Sequence, residues 1–342
     1  MNILVTGISG QDGAWLAKKL ISGGHKVFGA LRRGSLPKSP RLEYLGISND
    51  VQFVSMELTE FGNVYQVVNE VKPNMIFNLA AQSFVADSFK HPSLTFDINF
   101  NGYLNILEAI KISGIDCAVY QASTSEMFGA TEHMLLNESS RFEPKSPYAV
   151  SKSAAHFLGQ NYRLAYGMGI CNGILFNHES ELRGREFVTR KISLRLNEIK
   201  SGFKSSLTMG NLDSYRDWGH AEDYVDAMIQ MMLGGFSDDF VIATKESHSV
   251  REFIISAGNV LGMDIEFVGE GLNERGINRK TGEVIVNVSE EFFRPSDVTY
   301  LLGDYSKAKN SFGWNPTVSF ESLVERMVCS DQNFLKKGYI PF

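Results

Sequence analysis

The chain has 342 residues, with 43% hydrophobic and 21% charged residues and a formal net charge of −6. These proportions are typical of a globular protein, exclude a disordered or fibrous chain, and allow one large domain or two unequal lobes. The acidic balance argues against nucleic-acid binding, because such binding usually requires a clustered basic face.

Short apolar runs alternate with helical stretches through the first half of the chain. The predicted strands are Ile3–Thr6, Lys26–Leu31, Val51–Val54, Met75–Leu79, Cys117–Gln121 and Ile170–Phe176. The predicted helices are Gly13–Ser22, Phe61–Val71, Thr95–Ser113 and Pro147–Tyr166. This alternation indicates an α/β fold with a doubly wound, Rossmann-like parallel sheet. Right-handed crossovers would place the loops after the strands along one ligand-binding edge.

The pattern changes in the second half of the chain. The predicted elements there are a polar irregular segment at Asn177–Gly184, a helix at Phe187–Lys200, an extended run at Ser206–Met209, a helix at Gly219–Leu233, a strand at Phe240–Thr244, a loop or hairpin at Glu270–Val288 and a last helix near Phe320–Val328. We expect a Rossmann-like domain from residues 1–176 plus 219–244. A smaller, discontinuous α/β substrate lobe would comprise residues 177–218 plus 245–342.

A glycine-rich loop, Gly7-Ile8-Ser9-Gly10-Gln11-Asp12-Gly13, follows the first predicted strand and opens the first helix. Glycines let a backbone turn tightly and approach a pyrophosphate, and a helix N-terminus supplies N–H groups and a partial positive charge. The spacing is G-x-x-G-x-x-G rather than G-x-G-x-x-G. The place of this loop directly after the first strand predicts a dinucleotide bound by Gly7, Gly10, Gln11, Asp12 and Gly13.

The end of the second predicted strand indicates which dinucleotide binds. NAD sites usually carry an acid there for the ribose 2′-hydroxyl, whereas an arginine accommodates a 2′-phosphate. In this chain Arg32, Arg33 and Ser35 occupy that place without an acid. Two guanidiniums and a hydroxyl suit a phosphate, so we predict NADP. Two further loops are expected to contact the same cofactor, through Glu57 and Leu58 after the third strand and through Leu79, Ala80, Ala81 and Ser83 after the fourth.

The candidate catalytic residues are Thr124, Glu126, Tyr148 and Lys152. The spacing of Tyr148 and Lys152 places both side chains on one face of a helix. A nearby ammonium lowers the pKa of a phenol, so Tyr148 is expected to accept a proton near neutral pH. With the hydroxyl of Thr124 and the carboxylate of Glu126, this pair suits hydride chemistry at a sugar carbinol. The pattern therefore predicts an enzyme.

These motifs resemble those of the extended short-chain dehydrogenases/reductases that act on nucleotide sugars, and within that group the GDP-mannose 4,6-dehydratases. The resemblance covers nearly the whole chain. Its segments are Gly10–Gly13, Asn78–Ser83, Tyr120–Glu126, Asn172–Ser180, Phe187–Lys191, Gly210–Asp213, Arg216–Ala221 and Phe293–Val298. Long, ordered matches of this kind are more specific than any single motif.

The resemblance implies an NADP-dependent nucleotide-sugar 4,6-dehydratase, a lyase that forms homodimers or homotetramers. It assigns catalysis to Thr124, Glu126, Tyr148 and Lys152. Beyond the glycine loop, it implies cofactor contacts at Arg32, Arg33, Ser35, Lys152, His178 and Arg183. It implies GDP-sugar contacts at Ser83, Asn177, Lys191, Arg216, Arg294 and Asp297, the last of which stands where the family usually has Glu.

The chain departs from the family pattern at four places. Met56-Glu57-Leu58 replaces Gly-Asp-Leu after the third strand, and Glu181-Leu182-Arg183 replaces Pro-Arg-Arg. Pro37 and Pro40 lie in a segment that in the family reaches toward a neighbouring subunit's cofactor. Asp297 is one methylene shorter than the usual Glu. None of these changes touches the candidate catalytic residues.

The implied reaction oxidises C4 of the sugar, eliminates water across C5 and C6, and returns the hydride to C6. Tyr148 would take the proton of the C4 hydroxyl, while Thr124 would hold the C4 oxygen. Glu126 would take the C5 proton and deliver it to the leaving hydroxyl, aided by Ser125. Three alternatives stay open: a GDP-manno-heptose dehydratase, a 4-keto reductase or epimerase on the same scaffold, and a catalytically silent NADP-binding protein. A simple reductase needs no C5 base, and a silent binder would commonly have lost the Tyr or the Lys.

The three cysteines, Cys117, Cys171 and Cys329, form an odd number without metal-ligand spacing. The first two lie in apolar, strand-like surroundings, where a thiol is most simply a small buried hydrophobe. No signal peptide is visible before the first strand, and no apolar run reaches the roughly 18 residues that span a bilayer. We therefore expect a cytoplasmic protein with neither a metal site nor a membrane partner.

Overall fold

A parallel sheet forms the centre of the structure, a computed structural model that describes residues 1–32, 39–129, 134–292, 298–338 and 342. The strands are β1 (Asn2–Thr6), β2 (Lys26–Leu31), β3 (Gln52–Ser55), β4 (Met75–Asn78), β5 (Ala118–Thr124), β6 (Leu135–Leu136), β7 (Ile170–Leu175), β8 (Asn177–Glu179), β9 (Leu207–Met209), β10 (Tyr215–Arg216), β11 (Trp218–His220), β12 (Asp239–Ile242), β13 (His248–Ser249), β14 (Ile265–Val268), β15 (Arg275–Asn278), β16 (Val284–Val288) and β17 (Leu302–Gly303). Within these described ranges, seven strands form the large sheet in the order β12-β7-β5-β4-β1-β2-β3, and all neighbours are parallel.

The helices connect these strands and continue beyond them. They are α1 (Gln11–Ser22), α2 (Pro40–Tyr44), α3 (Phe61–Val71), α4 (Val85–Lys90), α5 (Pro92–Phe96), α6 (Gly102–Ser113), α7 (Pro147–Tyr166), α8 (Val188–Lys200), α9 (Ala221–Leu233), α10 (Val250–Val260), α11 (Ser306–Phe312) and α12 (Phe320–Lys336). A π-helical turn, Asp97–Asn101, joins α5 to α6. None of the helices in the described part of the chain combines the length and the apolar character that crossing a bilayer demands.

Helices cover both faces of the large sheet, which explains why its strands read as near-continuous apolar runs. Every residue of β7 is buried. On one face, α1 and α9 belong to the same core as Phe77 and Tyr120. On the other face, α3, α6 and α7 pack with Leu4 and Val119. The predicted doubly wound α/β fold is therefore confirmed.

The strand order reverses beside β1, because β2 and β3 lie on one side of it and β4 and β5 lie on the other. Crossover connections leave such a point in opposite directions, so a crevice opens at the carboxyl ends of β1 and β4. The glycine-rich loop follows β1, and Leu79 directly follows β4. The topology therefore brings these two loops together at the ligand-binding edge of the sheet.

A second, smaller sheet has the order β14-β15-β16-β9. With α8, α10 and α12 it encloses a separate apolar core that includes Met209, Ile254 and Met327. This core falls within the predicted substrate lobe. However, Leu182 and Trp314, which were also assigned to that lobe, pack in the core of the large sheet. The exact domain boundaries stay a prediction.

Some elements match their predicted forms and others differ from them. The helices Phe61–Val71 and Pro147–Tyr166 have the predicted bounds, and the hairpin within 270–288 is present as β15 and β16. Asn177–Glu179, predicted to be irregular, is a strand because it pairs in parallel with β11. The predicted helix Thr95–Ser113 is interrupted by the π-helical turn. The helix Val250–Val260 was not predicted, and it begins at a capping box formed by Ser249 and Glu252.

Candidate active site

A cleft of about 920 Å³ lies at the carboxyl ends of β1, β4, β5 and β7, a volume that suits a dinucleotide with a substrate beside it. Most of the predicted site residues line it. They are Gly7, Gly10, Gln11, Asp12, Gly13, Leu79, Ala81, Ser83, Thr124, Glu126, Tyr148, Lys152, Asn177, His178, Arg183, Lys191 and Arg216. The fold thus joins residues that are widely separated in the chain into one candidate active site.

Some of the predicted site residues do not line the cleft, and others lie outside the described residues. Leu58 is buried in the core beneath α6, and Glu57 accepts a hydrogen bond from Thr59 at 3.1 Å. Ala80 lies directly behind Gly7, and its N–H donates to Thr6 Oγ1. Arg32 is exposed outside the cleft lining. Arg33, Ser35, Arg294 and Asp297 lie outside the described residues, so their roles stay predictions.

The glycine-rich loop leaves no space for a side chain at two positions. Gly7 has a φ of +71°, and a Cβ added there would lie 2.8 Å from Ala80 N. A Cβ on Gly13 would lie 2.3 Å from Gly7 O. Gly10 is the N-cap of α1, and its N–H donates to Gly7 O at 2.9 Å. Because the loop also lines the cleft, a pyrophosphate can approach the first N–H groups of α1.

Replacing Gly13 by alanine is expected to weaken nicotinamide dinucleotide binding by about tenfold or more, because the new methyl group would displace Gly7 and strain the phosphate-binding turn. Gly62→Ala is the matched control, since a Cβ on Gly62 would have no neighbour within 4 Å and alanine favours the helix in which Gly62 lies. Calorimetric titration of both variants with NADP checks the result. Unchanged affinity in the Gly13→Ala protein would contradict the assignment of this loop.

The start of α7 is determined by its capping residue. Ser146 Oγ accepts a hydrogen bond from Ala149 N at 3.1 Å, and Pro147 occupies the first helical position, where it suits a helix start. Tyr148 therefore lies in the first turn of α7 and Lys152 one turn later. Both side chains are buried and line the cleft. Their common orientation agrees with the spacing seen in the sequence.

The end of β5 brings the other candidate catalytic residues to α7. Thr124 is the last residue of the strand, and its Oγ1 accepts a hydrogen bond from Glu126 N at 3.3 Å. The Thr124 side chain also acts on Tyr148, whose pKa it lowers. Lys152 Nζ donates to the carbonyl of Ala122 at 2.9 Å. Glu126 is half-buried beside them. A hydroxyl, a phenol, an ammonium and a carboxylate thus meet at one cleft.

The expected lowering of the Tyr148 pKa by Lys152 is not present in the structure. Burial raises the pKa of Tyr148 to about 12, although the Thr124 side chain acts in the opposite direction. Burial also lowers the pKa of Lys152 to about 8. The ammonium is directed at the carbonyl of Ala122 rather than at the phenol. In this structure burial of the side chain therefore favours the phenol form of Tyr148 over the phenolate.

A partly buried ion pair joins the glycine-rich loop to the segment after β7. His178 Nε2 lies 2.9 Å from Asp12 Oδ2, and His178 Nδ1 donates to Phe176 O at 2.8 Å. The imidazole stacks on Tyr224, with ring centroids 4.6 Å apart. Burial opposes both charges, but their attraction outweighs it, so the pKa of His178 is raised and that of Asp12 is lowered. The pair fixes two predicted cofactor-binding residues relative to each other.

Neighbouring contacts strengthen this connection. Ser180 Oγ donates to Gln11 Oε1 at 2.8 Å, so a second side chain of the glycine-rich loop is also held. Arg183 Nε lies 2.9 Å from Glu179 Oε2, and its guanidinium lies 3.5 Å from the centre of the Phe187 ring. These contacts orient the Arg183 cation along the wall of the cleft.

The opposite wall carries the predicted substrate-binding residues from β8, α8 and β10. Lys191 Nζ lies 3.8 Å from the centre of the Phe292 ring, and burial lowers the pKa of Lys191. Arg216 is buried, and its Nη1 donates to Tyr215 O at 2.9 Å. Among the described residues, Asn177 Oδ1 is a buried acceptor without a hydrogen-bond partner. A buried acceptor of this kind favours a ligand that brings a donor.

Arg41 is a cleft-lining cation that was not predicted. Its Nη1 donates to Ser9 O at 3.1 Å and its Nε to Leu182 O at 2.6 Å, so it lies against the glycine-rich loop. The sequence contains only a weak signal for it, a basic residue in the segment after β2. Its place depends on a contact with residues about 140 positions further along the chain, which no local pattern reveals.

The parallel sheet, the glycine-rich loop and the Thr–Tyr–Lys cluster define a Rossmann-fold short-chain dehydrogenase/reductase. Solved structures show the same fold. DesIV, a dTDP-glucose 4,6-dehydratase from Streptomyces venezuelae with NAD and TYD bound, matches with a TM-score of 0.82 at 22% identity, covering 100% of this chain and 99% of that chain. RMD from Pseudomonas aeruginosa complexed with NADPH matches with a TM-score of 0.75 at 19% identity, covering 97% and 100%.

The particular family follows from closer relatives. The family model for GDP-mannose 4,6 dehydratase matches residues 4–327. A GDP-mannose 4,6-dehydratase of Vibrio cholerae is 44% identical over 96% of this chain and 92% of its own length. The GDP-mannose 4,6 dehydratase of Homo sapiens is 42% identical over 97% and 92%. The chain therefore belongs to the GDP-mannose 4,6-dehydratase family, which confirms the resemblance and the prediction of a lyase-type enzyme.

Proposed function

We propose that this chain converts GDP-D-mannose to GDP-4-dehydro-6-deoxy-D-mannose with a bound NADP. The observation that carries the proposal is the meeting of Thr124, Glu126, Tyr148 and Lys152 in one cleft of a chain that belongs to this family. The relatives are named for GDP-mannose. Neither the heptose dehydratase nor the reductase or epimerase alternative has comparable support.

The cleft fits a nicotinamide dinucleotide. Gly7 and Gly13 form a cradle that a side chain would fill, and the start of α1 can bind a pyrophosphate there. When bound, the nicotinamide supplies a hydride acceptor for C4 and a hydride donor for C6. The choice of NADP over NAD rests on Arg32, Arg33 and Ser35, since these residues offer a phosphate site without a competing carboxylate.

Each candidate catalytic residue has a distinct task in this reaction. Thr124 holds the C4 oxygen by a hydrogen bond, and Tyr148, as the phenolate, accepts the C4 hydroxyl proton during oxidation. Lys152 stabilises this phenolate before the proton is transferred, against the effect of burial. The ketone acidifies the C5 proton, which Glu126 removes and then delivers to the departing C6 hydroxyl, with Ser125 beside it. The hydride then returns to C6, C5 takes up a proton from solvent and Tyr148 releases its proton to solvent, so the overall reaction is a dehydration.

We expect the GDP moiety to bind on the wall of the cleft that carries the predicted substrate-binding residues. Lys191 and Arg216 supply positive charge for the diphosphate, and Asn177 supplies a free acceptor. Ser83 lies at the rim, where it can reach either cofactor or sugar. The sequence adds Arg294 for the diphosphate and Asp297 for a donor group of the nucleotide or sugar.

The cofactor preference can be tested directly. We expect NADP to bind at least about tenfold more tightly than NAD, because charge-assisted hydrogen bonds to the 2′-phosphate contribute roughly 1.5–3 kcal/mol each. Arg33→Asp should reverse the preference. Arg141→Asp is the control, since the Arg141 side chain is 87% exposed away from the cleft lining. Equal calorimetric affinities of the wild type for NADP and NAD would refute the preference.

A substrate deuterated at C4 tests the whole reaction. The product of GDP-mannose should have lost one water and should carry the label at C6, as measured by mass spectrometry and NMR. A parallel incubation with GDP-manno-heptose tests the sugar preference. Loss of the label to solvent, or a requirement for stoichiometric added NADPH, would favour a reductase.

We further propose a cytoplasmic homo-oligomer. The support is the family's use of the segment containing Pro37 and Pro40 to reach a neighbouring subunit, although Pro37 lies outside the described residues. Light scattering after size-exclusion chromatography distinguishes a dimer from a tetramer, and a monomer at micromolar concentration would contradict the proposal.

A further inference from the structure

The buried face of α7 carries polar side chains beyond Lys152, where a helix packed on a sheet usually presents apolar ones. These side chains meet polar groups on three neighbouring strands, β5, β7 and β12. We name this group the α7 polar cluster. Its members are Ser123, His156, Gln160, Arg163, Asn172 and Asp239.

His156 is central to the α7 polar cluster and is 1% exposed. Its Nδ1 is hydrogen-bonded to Ser123 Oγ at 3.0 Å. Its Nε2 lies 3.4 Å from Asp239 Oδ2 and 3.1 Å from Gln160 Nε2. The two nitrogens of the ring therefore contact two different strands, β5 through Ser123 and β12 through Asp239.

Asp239 has other partners that stabilise its charge. Arg163 Nη2 donates to Asp239 Oδ1 at 2.7 Å, and Asn172 Nδ2 donates to the same oxygen at 2.8 Å. Burial raises the pKa of Asp239, but His156 and Arg163 outweigh burial and hold it below its ordinary value. The carboxylate would thus remain partnered without the histidine. The contribution that belongs to His156 alone is its contact with Ser123.

Ser123 lies between two residues of β5 that contact the catalytic side chains. The carbonyl of Ala122 accepts the hydrogen bond from Lys152, and the Thr124 side chain acts on Tyr148, whose pKa it lowers. Three successive residues at the end of β5 therefore each interact with α7. Their partners Tyr148, Lys152 and His156 follow one another at intervals of one helical turn.

We propose that His156 is a positioning residue for the oxidation at C4. Its bond to Ser123 holds the end of β5 on α7, so that Thr124, Tyr148 and Lys152 keep their relative geometry. This inference rests on the proposed function, because it concerns the same reaction. Misplacing a reacting group by about 1 Å can lower a rate by about 10²-fold, so the loss of this one bond should affect kcat.

Two substitutions separate the two contacts of the imidazole. Asparagine places its amide near the position of Nδ1 and can keep the bond to Ser123, whereas glutamine reaches the position of Nε2 and can keep the bond to Asp239. We expect His156→Asn to retain kcat within about twofold and His156→Gln to lower it about tenfold, with the KM for GDP-mannose unchanged in both. Glutamine is the better helix former, so a merely structural role predicts the opposite order.

Ser123→Ala tests the other end of the bond. It should lower kcat about tenfold, and the double variant with His156→Gln should lie within about twofold of either single variant, because both changes remove one interaction. Ser153→Ala is the matched control and should leave kcat unchanged, since Ser153 Oγ is buried on α7 but donates to Ala149 O within the helix. Single-turnover formation of NADPH reports the oxidation step in every variant.

The outcomes distinguish this inference from the proposed function. A wild type that forms no 4-keto product from GDP-mannose overturns the proposed function and the positioning role together. An active wild type whose His156→Gln variant matches or exceeds His156→Asn overturns the role of His156 alone. Additive losses of kcat in the double variant would also overturn the role of His156, because they would show that His156 and Ser123 act independently.

Discussion

Tyr148→Phe is expected to lower kcat for GDP-mannose by about 10²- to 10⁴-fold, the usual effect of removing a general base. The Tyr148 hydroxyl and the Thr124 side chain lie in the same cleft and influence each other, and phenylalanine keeps the ring while removing the hydroxyl. Stopped-flow absorbance should show no transient NADPH in this variant, because the first oxidation is blocked.

The matched control is Tyr162→Phe, on the same helix. Tyr162 is hydrogen-bonded to Glu108 and does not line the cleft. The kcat of the Tyr162→Phe variant should therefore stay within about twofold of the wild-type value. Full turnover by the Tyr148→Phe variant would exclude Tyr148 as the base.

Glu126→Gln is expected to separate oxidation from elimination. The amide cannot remove the C5 proton, so kcat should fall by about 10²- to 10⁴-fold, while hydride still passes from C4 to the cofactor. Single-turnover absorbance should therefore show NADPH that forms and persists. This result would contrast with Tyr148→Phe, in which NADPH does not form.

Glu143→Gln serves as the control for this change. Its side chain is 48% exposed and is paired with Arg141, outside the cleft lining. If Glu126→Gln formed the dehydrated product at the wild-type rate, another group would have to be the C5 base.

The parts of the fold with local determinants were predictable from the sequence. The start of α7 follows from Ser146 and Pro147, whose capping roles involve neighbouring residues only. The placement of Thr124 and Tyr148 in one cleft also followed, because loops after parallel strands share an edge. A local signal was overlooked at α10, where Ser249 and Glu252 have the spacing of a capping box.

The electrostatic properties of the site were less predictable, because they depend on burial and on distant partners. Helical spacing indicates that Tyr148 and Lys152 share a face, but it does not reveal that Lys152 bonds to the Ala122 carbonyl. Burial of the phenol then dominates its pKa. The strand at Asn177–Glu179 was missed for a similar reason, since it exists only through pairing with β11.

The bond between Asp12 and His178 joins residues that are 166 positions apart in the chain. Because non-local pairing is slow to form, we expect contacts of this kind to appear late in folding. We expect β1, α1 and β2 to associate early and the carboxylate of the glycine-rich loop to find its partner only after β7 has joined the sheet. NADP affinity in a refolding experiment should therefore return with the slowest phase of sheet assembly, which makes the cofactor a reporter of completed folding.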